Sequence, residues 1–69
     1  MSPYTFINNI FRADAAKNGG VVRRSKNDVE RIASHAELEK EVKLRNFHLL
    51  EAGDQYVIIC NTARLTVHF

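Results

Sequence analysis

Cysteine is almost missing from this sequence. Cys60 stands alone, so no disulfide closes within the chain, and a reducing cytoplasm is the expected setting. With no second cysteine, and with His35, His48 and His68 widely separated, no metal-ligand spacing is present; neither a metal nor another cofactor is expected. One proline and three glycines exclude a fibrous or low-complexity chain. No run approaches the roughly 18 consecutive apolar residues of a membrane span. The apolar residues from Phe6 to Phe11 are interrupted by Asn8 and Asn9, which speaks against a signal peptide. Gly19-Gly20 lacks the flanking glycines and Lys-Ser/Thr of a phosphate loop, so it reads as a helix terminator. No pair of carboxylates stands out for acid–base work, and no basic group lies close enough in sequence to activate Cys60, which reads as a small buried hydrophobe. The chain is also too short to build a second layer around a substrate pocket. The expectation is a protein that is not an enzyme, with no small-molecule substrate.

What the sequence does hold is apolar strand. The 69 residues are 45% hydrophobic, enough for one small α+β domain. A domain of this size buries only about 60% of its unfolded surface. Its core rarely supplies more than roughly 3–5 kcal/mol, which makes self-association a natural further source of stability. The densest apolar run is Phe47 to Cys60, and it reads as a hairpin over residues 47–60 turning at Gly53-Asp54, because Gly takes the positive φ of the first turn position cheaply. That turn sets Leu49 opposite Ile58 and Leu50 opposite Val57. One face then carries Phe47, Leu49, Tyr56, Ile58 and Cys60, and the other carries Leu50, Val57 and Ile59. A hairpin apolar on both faces needs cover on both; helices suit the first, and Leu50, Val57 and Ile59 are the candidate interface.

The remaining elements follow from caps and periodicity. Ser2-Pro3 opens a helix over residues 3–18, with Phe6, Ile7, Ile10 and Phe11 at helical spacing and Asn18-Gly19-Gly20 as its stop. A short β-branched strand follows over residues 21–24. Asn27 or Ser25 caps the next helix, over residues 27–33. Ser34-His35-Ala36-Glu37 is a second capping box, starting another helix over residues 35–46, although one bent helix through both segments also fits the pattern. In this second helix Leu38 and Val42 point inward with Leu44 beside them, and Glu39–Lys43 and Glu41–Arg45 are i,i+4 pairs of a solvated face. Leu65, Val67 and Phe69 alternate with Thr66 and His68, the pattern of a last strand over residues 65–69.

Charge is uneven along the chain. Up to residue 26, Arg12, Lys17, Arg23, Arg24 and Lys26 face only Asp14, whereas residues 27–54 hold four basic groups against seven acidic ones. Such asymmetry suits an anionic partner on one side.

The order helix, strand, helix, helix, hairpin resembles a winged-helix domain over about the first 60 residues. The resemblance is carried by Asn27-Asp28-Val29-Glu30-Arg31-Ile32-Ala33, Leu38-Glu39-Lys40-Glu41-Val42 and the stretch Gly53 to Ile59. The last strand is an addition to the plainest form, and a free sheet with helices on one face is the other architecture the pattern allows. The resemblance implies DNA binding, with the helix from His35 to Arg45 in the major groove and Ala52 to Gln55 as the wing tip. Charge opposes that docking, because this helix balances Glu37, Glu39 and Glu41 against Lys40, Lys43 and Arg45, and the wing carries Glu51 and Asp54. Arg23, Arg24, Lys26 and Arg31 are the alternative phosphate contacts, though such cations also protect an exposed strand edge. Two functions therefore stand: a nucleic-acid-binding or regulatory module, and a protein-interaction or homodimerisation module.

Overall fold

The computed structural model describes residues 2–68. Ser2 caps the first helix, α1 (Pro3–Arg12), its side chain accepting from the Thr5 amide while Pro3 occupies a position that needs no N–H. Ile7 and Ile10 are buried from this helix. The helix expected over 3–18 is broken: Ala13 is extended, at φ −61 and ψ 147, and a separate short turn, α2 (Asp14–Lys17), follows. The break has a packing reason. Six residues of continuous helix would place Ala16 roughly 120° around the axis from Ile10, off the face that Ile10 buries. Re-aimed by the break, Ala16 joins the core beside Ile10.

Gly19, at φ 75, ends this segment, and the Gly20 amide bonds the Ala15 carbonyl at 2.7 Å. The strand β1 (Val21–Ser25) leads directly into α3 (Lys26–Ile32). Ser25, not Asn27, is the cap, accepting from the Asp28 amide at 3.5 Å. The break at Ala33 and Ser34 separates α3 from α4 (His35–Leu44), with Ser34 accepting from the Glu37 amide as its capping box implies; these are two helices, not one. Leu38 and Val42 of α4 are buried, but Leu44 is 67% exposed: two residues beyond Val42 lies roughly 200° around the helix, on its wet side. Asn46 takes the left-handed conformation, φ 57, that lets the chain leave α4 and enter the hairpin.

The hairpin has the expected register. β2 (His48–Ala52) and β3 (Gln55–Ile59) pair with Leu49 opposite Ile58 and Leu50 opposite Val57, joined by Gly53 at φ 61. β1 pairs antiparallel with the other side of β3, Val22 opposite Ile58, so the sheet order is β1-β3-β2. Val22, Tyr56, Ile58 and Cys60 are buried from the sheet, against Ile10, Ala16, Val29, Leu38 and Val42 of the helices. Phe6, Phe11, Phe47 and Leu49 close the margin of this core. The described residues thus form a single small α+β domain of four helices and a three-stranded antiparallel sheet.

The last strand expected over 65–69 is not a strand in the described residues. Residues 65–68 join no ladder, with Leu65 and Val67 exposed; Phe69 lies outside the described residues. Alternation alone does not make a strand when no neighbour offers matched backbone groups at the right spacing.

Candidate nucleic-acid interface

β1 positions the two arginines of interest. Because side chains alternate on a strand, Arg23 projects with Val21 and Ser25 to the face away from the helices, and Arg24 projects to the helix side at the sheet edge. Arg24 donates to the Arg23 carbonyl at 2.8 Å, which holds its guanidinium along the strand. Neither arginine has a carboxylate partner among the ion pairs of the described residues.

The two other expected contacts are placed differently. Lys26, at the start of α3, pairs with Glu51 of β2 at 2.6 Å and lies 5.9 Å from the Tyr56 ring centre. Arg31 pairs with Asp28 one turn back on the same helix at 3.2 Å. Their charges are therefore partly met inside the molecule, and Arg23 and Arg24 are the pair left free. On α4 Lys43 is held by Glu39 at 3.0 Å, and at its C-cap Arg45 lies 3.8 Å from Glu41 and over the Phe11 ring at 4.1 Å, whereas Lys40 has no ion-pair partner among the described residues.

The apolar candidates share the face of Arg23. Arg23, Val57 and Leu50 form one cross-strand row, and Val21, Ile59 and His48 form the next. Leu50 is 38% exposed, Val21 43%, and Val57 and Ile59 are half-buried, so this side of the sheet is only partly covered. Its open face is an apolar grid with one cationic corner.

A side-chain chain between α3, α4 and the hairpin escaped the sequence reading, which weighed His35 only as a metal ligand. Tyr56, buried with its ring, donates to Glu30 at 3.0 Å, and its oxygen also lies 3.0 Å from Nδ1 of His35. The other ring nitrogen of His35 meets Glu39 at 3.0 Å, and Glu39 also meets Lys43. Burial first, then the Glu30 contact, raises the Tyr56 phenol above its ordinary value, so it remains a donor. One signal for it was present: Tyr56 is the lone hydroxyl on the apolar face of the hairpin, and a buried hydroxyl needs a partner. The arrangement ties α4 to the sheet. Among the described residues no group of three or more His, Cys, Asp or Glu is gathered to hold a metal ion, and no helix is long and apolar enough to cross a membrane.

Two consequences are measurable. Glu39 is held below the usual carboxylate range by its bonds to Lys43 and then His35, and Glu51 by its bond to Lys26. A carboxylate whose folded value is depressed adds stability above its unfolded value, and that stability disappears as pH falls through the folded one. Melting temperature is therefore expected to fall below about pH 4.5, and Glu39→Gln with Glu51→Gln to flatten that acid limb modestly, since both groups are exposed. A double variant whose acid limb matches the parent's would show that these pairs do not contribute. Cys60, just past β3 and 3% exposed, has its thiol pushed up by burial, against an opposing pull from Arg45. Its labelling by a thiol reagent is expected to be slow under native conditions and fast in urea; rapid native labelling would contradict that placement.

Comparison with protein-family models, curated proteins and solved structures found no match.

Proposed function

We propose that this chain is a small non-catalytic binding module of winged-helix type that contacts nucleic acid through the β1 side of its sheet. The order of elements supports the type: α3 and α4 stand as the paired helices, and the β2–β3 hairpin, with β1 as its third strand, stands as the wing. The observation that carries the binding reading is the adjacent, carboxylate-free pair Arg23 and Arg24 on an edge strand. Phosphate affinity comes from unpaired cations, and α4 cancels most of its own. Docking by β1 and the hairpin, rather than by α4 in the major groove, follows from that difference. A reducing cytoplasm suits the lone buried thiol.

The test is titration of a fluorescently labelled duplex with the full chain at low salt and then at rising salt. Binding that weakens linearly in log salt, by about 0.9 in slope for each phosphate engaged, supports the reading. Absence of binding at the lowest salt sinks it.

A second reading, a protein-interaction or homodimerisation module, is favoured by the partly exposed grid of Val21, Leu50, Val57 and Ile59. Apolar residues at this density on an open sheet face suit a protein surface, most simply a second copy.

A further inference from the structure

The sheet has two edges, β1 and β2, and each leaves a row of backbone N–H and C=O groups with no strand to pair with. Charge, proline or a covering segment keeps such an edge from pairing with another chain. β1 carries Arg23 and Arg24, neither of them in an ion pair among the described residues. β2 reads His-Leu-Leu-Glu-Ala, without proline, and its one formal charge, Glu51, is paired with Lys26 at 2.6 Å. Neither charge nor proline therefore keeps a strand off β2.

What lies against β2 is the chain's own C-terminal segment. Asn61 fastens it first, donating to the Gly19 carbonyl at 3.1 Å and accepting from the Ala63 amide at 3.0 Å. His48, the first residue of β2, meets the Ala63 carbonyl at 2.6 Å through Nε2. Leu65 then lines the groove between α4 and β2, with His35 and Glu39 on one wall and Phe47 to Glu51 on the other. The domain does not depend on these contacts, since the core cluster and the side chains packed on its margin hold no residue beyond Cys60. Leu65 is 38% exposed and Val67 72%, and residues 65–68 join no ladder. A segment held by a few hydrogen bonds and one partly covered leucine opens at lower cost than the domain unfolds.

We infer that residues 61–68 form a strap that closes over the β2 edge and keeps it from pairing with another chain, tethered by His48, seated by Leu65, and able to open while the domain stays folded. Closed, the strap covers the apolar floor of Phe47 and Leu49 beside the edge. Open, it leaves that floor next to unpaired backbone, the combination on which edge-to-edge association begins. The inference rests on neither functional reading, because the β1 arginines and the open sheet face are unchanged whether the strap is closed or open.

The test is 15N relaxation with light scattering at about 100 μM, where weak association registers, on the full chain and two variants. In the parent, residues 62–66 are expected to be as ordered as β2, with NOEs from the Leu65 methyls to Phe47 or Leu49. Each lost contact raises the ratio of open to closed strap by up to about tenfold, so His48→Ala and Leu65→Ser are combined. That double variant is expected to lose order across the whole segment, to rise in mass above the parent, and to keep a urea midpoint close to the parent's. Val67→Ser, at a position outside the groove, is expected to change none of these. A segment already mobile in the parent overturns the strap. A double variant with a released segment and the parent's mass overturns its role at the edge. A urea midpoint that falls as the segment loses order makes the segment part of the domain's own stability and overturns the inference as well.

Discussion

Ile58→Ala is expected to cost about 2–5 kcal/mol, enough to leave most of the protein unfolded, because a core this small supplies only about that much in total. Ile58 lies on the middle strand, 0% exposed, flanked by Val22 on one neighbour and Leu49 on the other. Truncation to alanine removes three carbons whose space the two flanking strands cannot fill, since both are hydrogen-bonded to the strand that carries it. Loss of transfer energy and persistence of a cavity therefore add. Leu49→Ala, at the margin of the core, is expected to cost less. Urea melts followed by circular dichroism measure both. An Ile58→Ala cost under about 1 kcal/mol would mean that this face is not the core.

Arg23→Ala with Arg24→Ala is the variant with the largest expected effect on binding. Each arginine that neutralises a phosphate adds about 0.9 to the steepness of log affinity against log salt, so loss of both lowers the slope by up to about 2, uniformly across DNA sequences. Folding is expected to be little changed. Arg23 is exposed, and the one side-chain hydrogen bond of Arg24 among the described residues goes to its neighbour's carbonyl. The hairpin is likewise untouched by the change. The matching change on α4, Lys40→Ala with Lys43→Ala, is expected to do little to binding, since Lys43 is committed to Glu39.

How far the sequence carries can be seen at individual residues. Hairpin register was legible because Gly53 opens a two-residue turn between two strand-forming runs, and a slip of one residue would have turned Ile58 and Tyr56 out of the core. The division of α3 from α4 was legible in the Ser34 to Glu37 capping box, because a cap is a local hydrogen bond that needs nothing distant. Ala13 was not legible. It is a good helix former, and it is extended only because Ala16 must reach a core assembled from β1, β3 and α3. The segment after Asn61 failed for the converse reason: its alternation is real, but strand formation needs a partner edge in register, and no sequence pattern reports whether one is in place. At the candidate interface, Arg23 and Arg24 were legible as a cationic pair. Pairing of Lys26 with Glu51, 25 residues away, depends on the hairpin setting Glu51 beside Tyr56, over which Lys26 lies, and leaves no local trace. The same holds for Glu30, Tyr56 and His35, which three separate elements bring together.

The most direct test of the binding account is one fluorescence titration series, with a single labelled duplex and three proteins, the parent, Arg23→Ala/Arg24→Ala and Lys40→Ala/Lys43→Ala, across a range of salt. The account predicts that the strand variant binds more weakly and with a shallower salt slope, by up to about 2, while the helix variant tracks the parent. If the helix variant loses binding and the strand variant keeps it, α4 enters the groove after all and the argument from charge is contradicted.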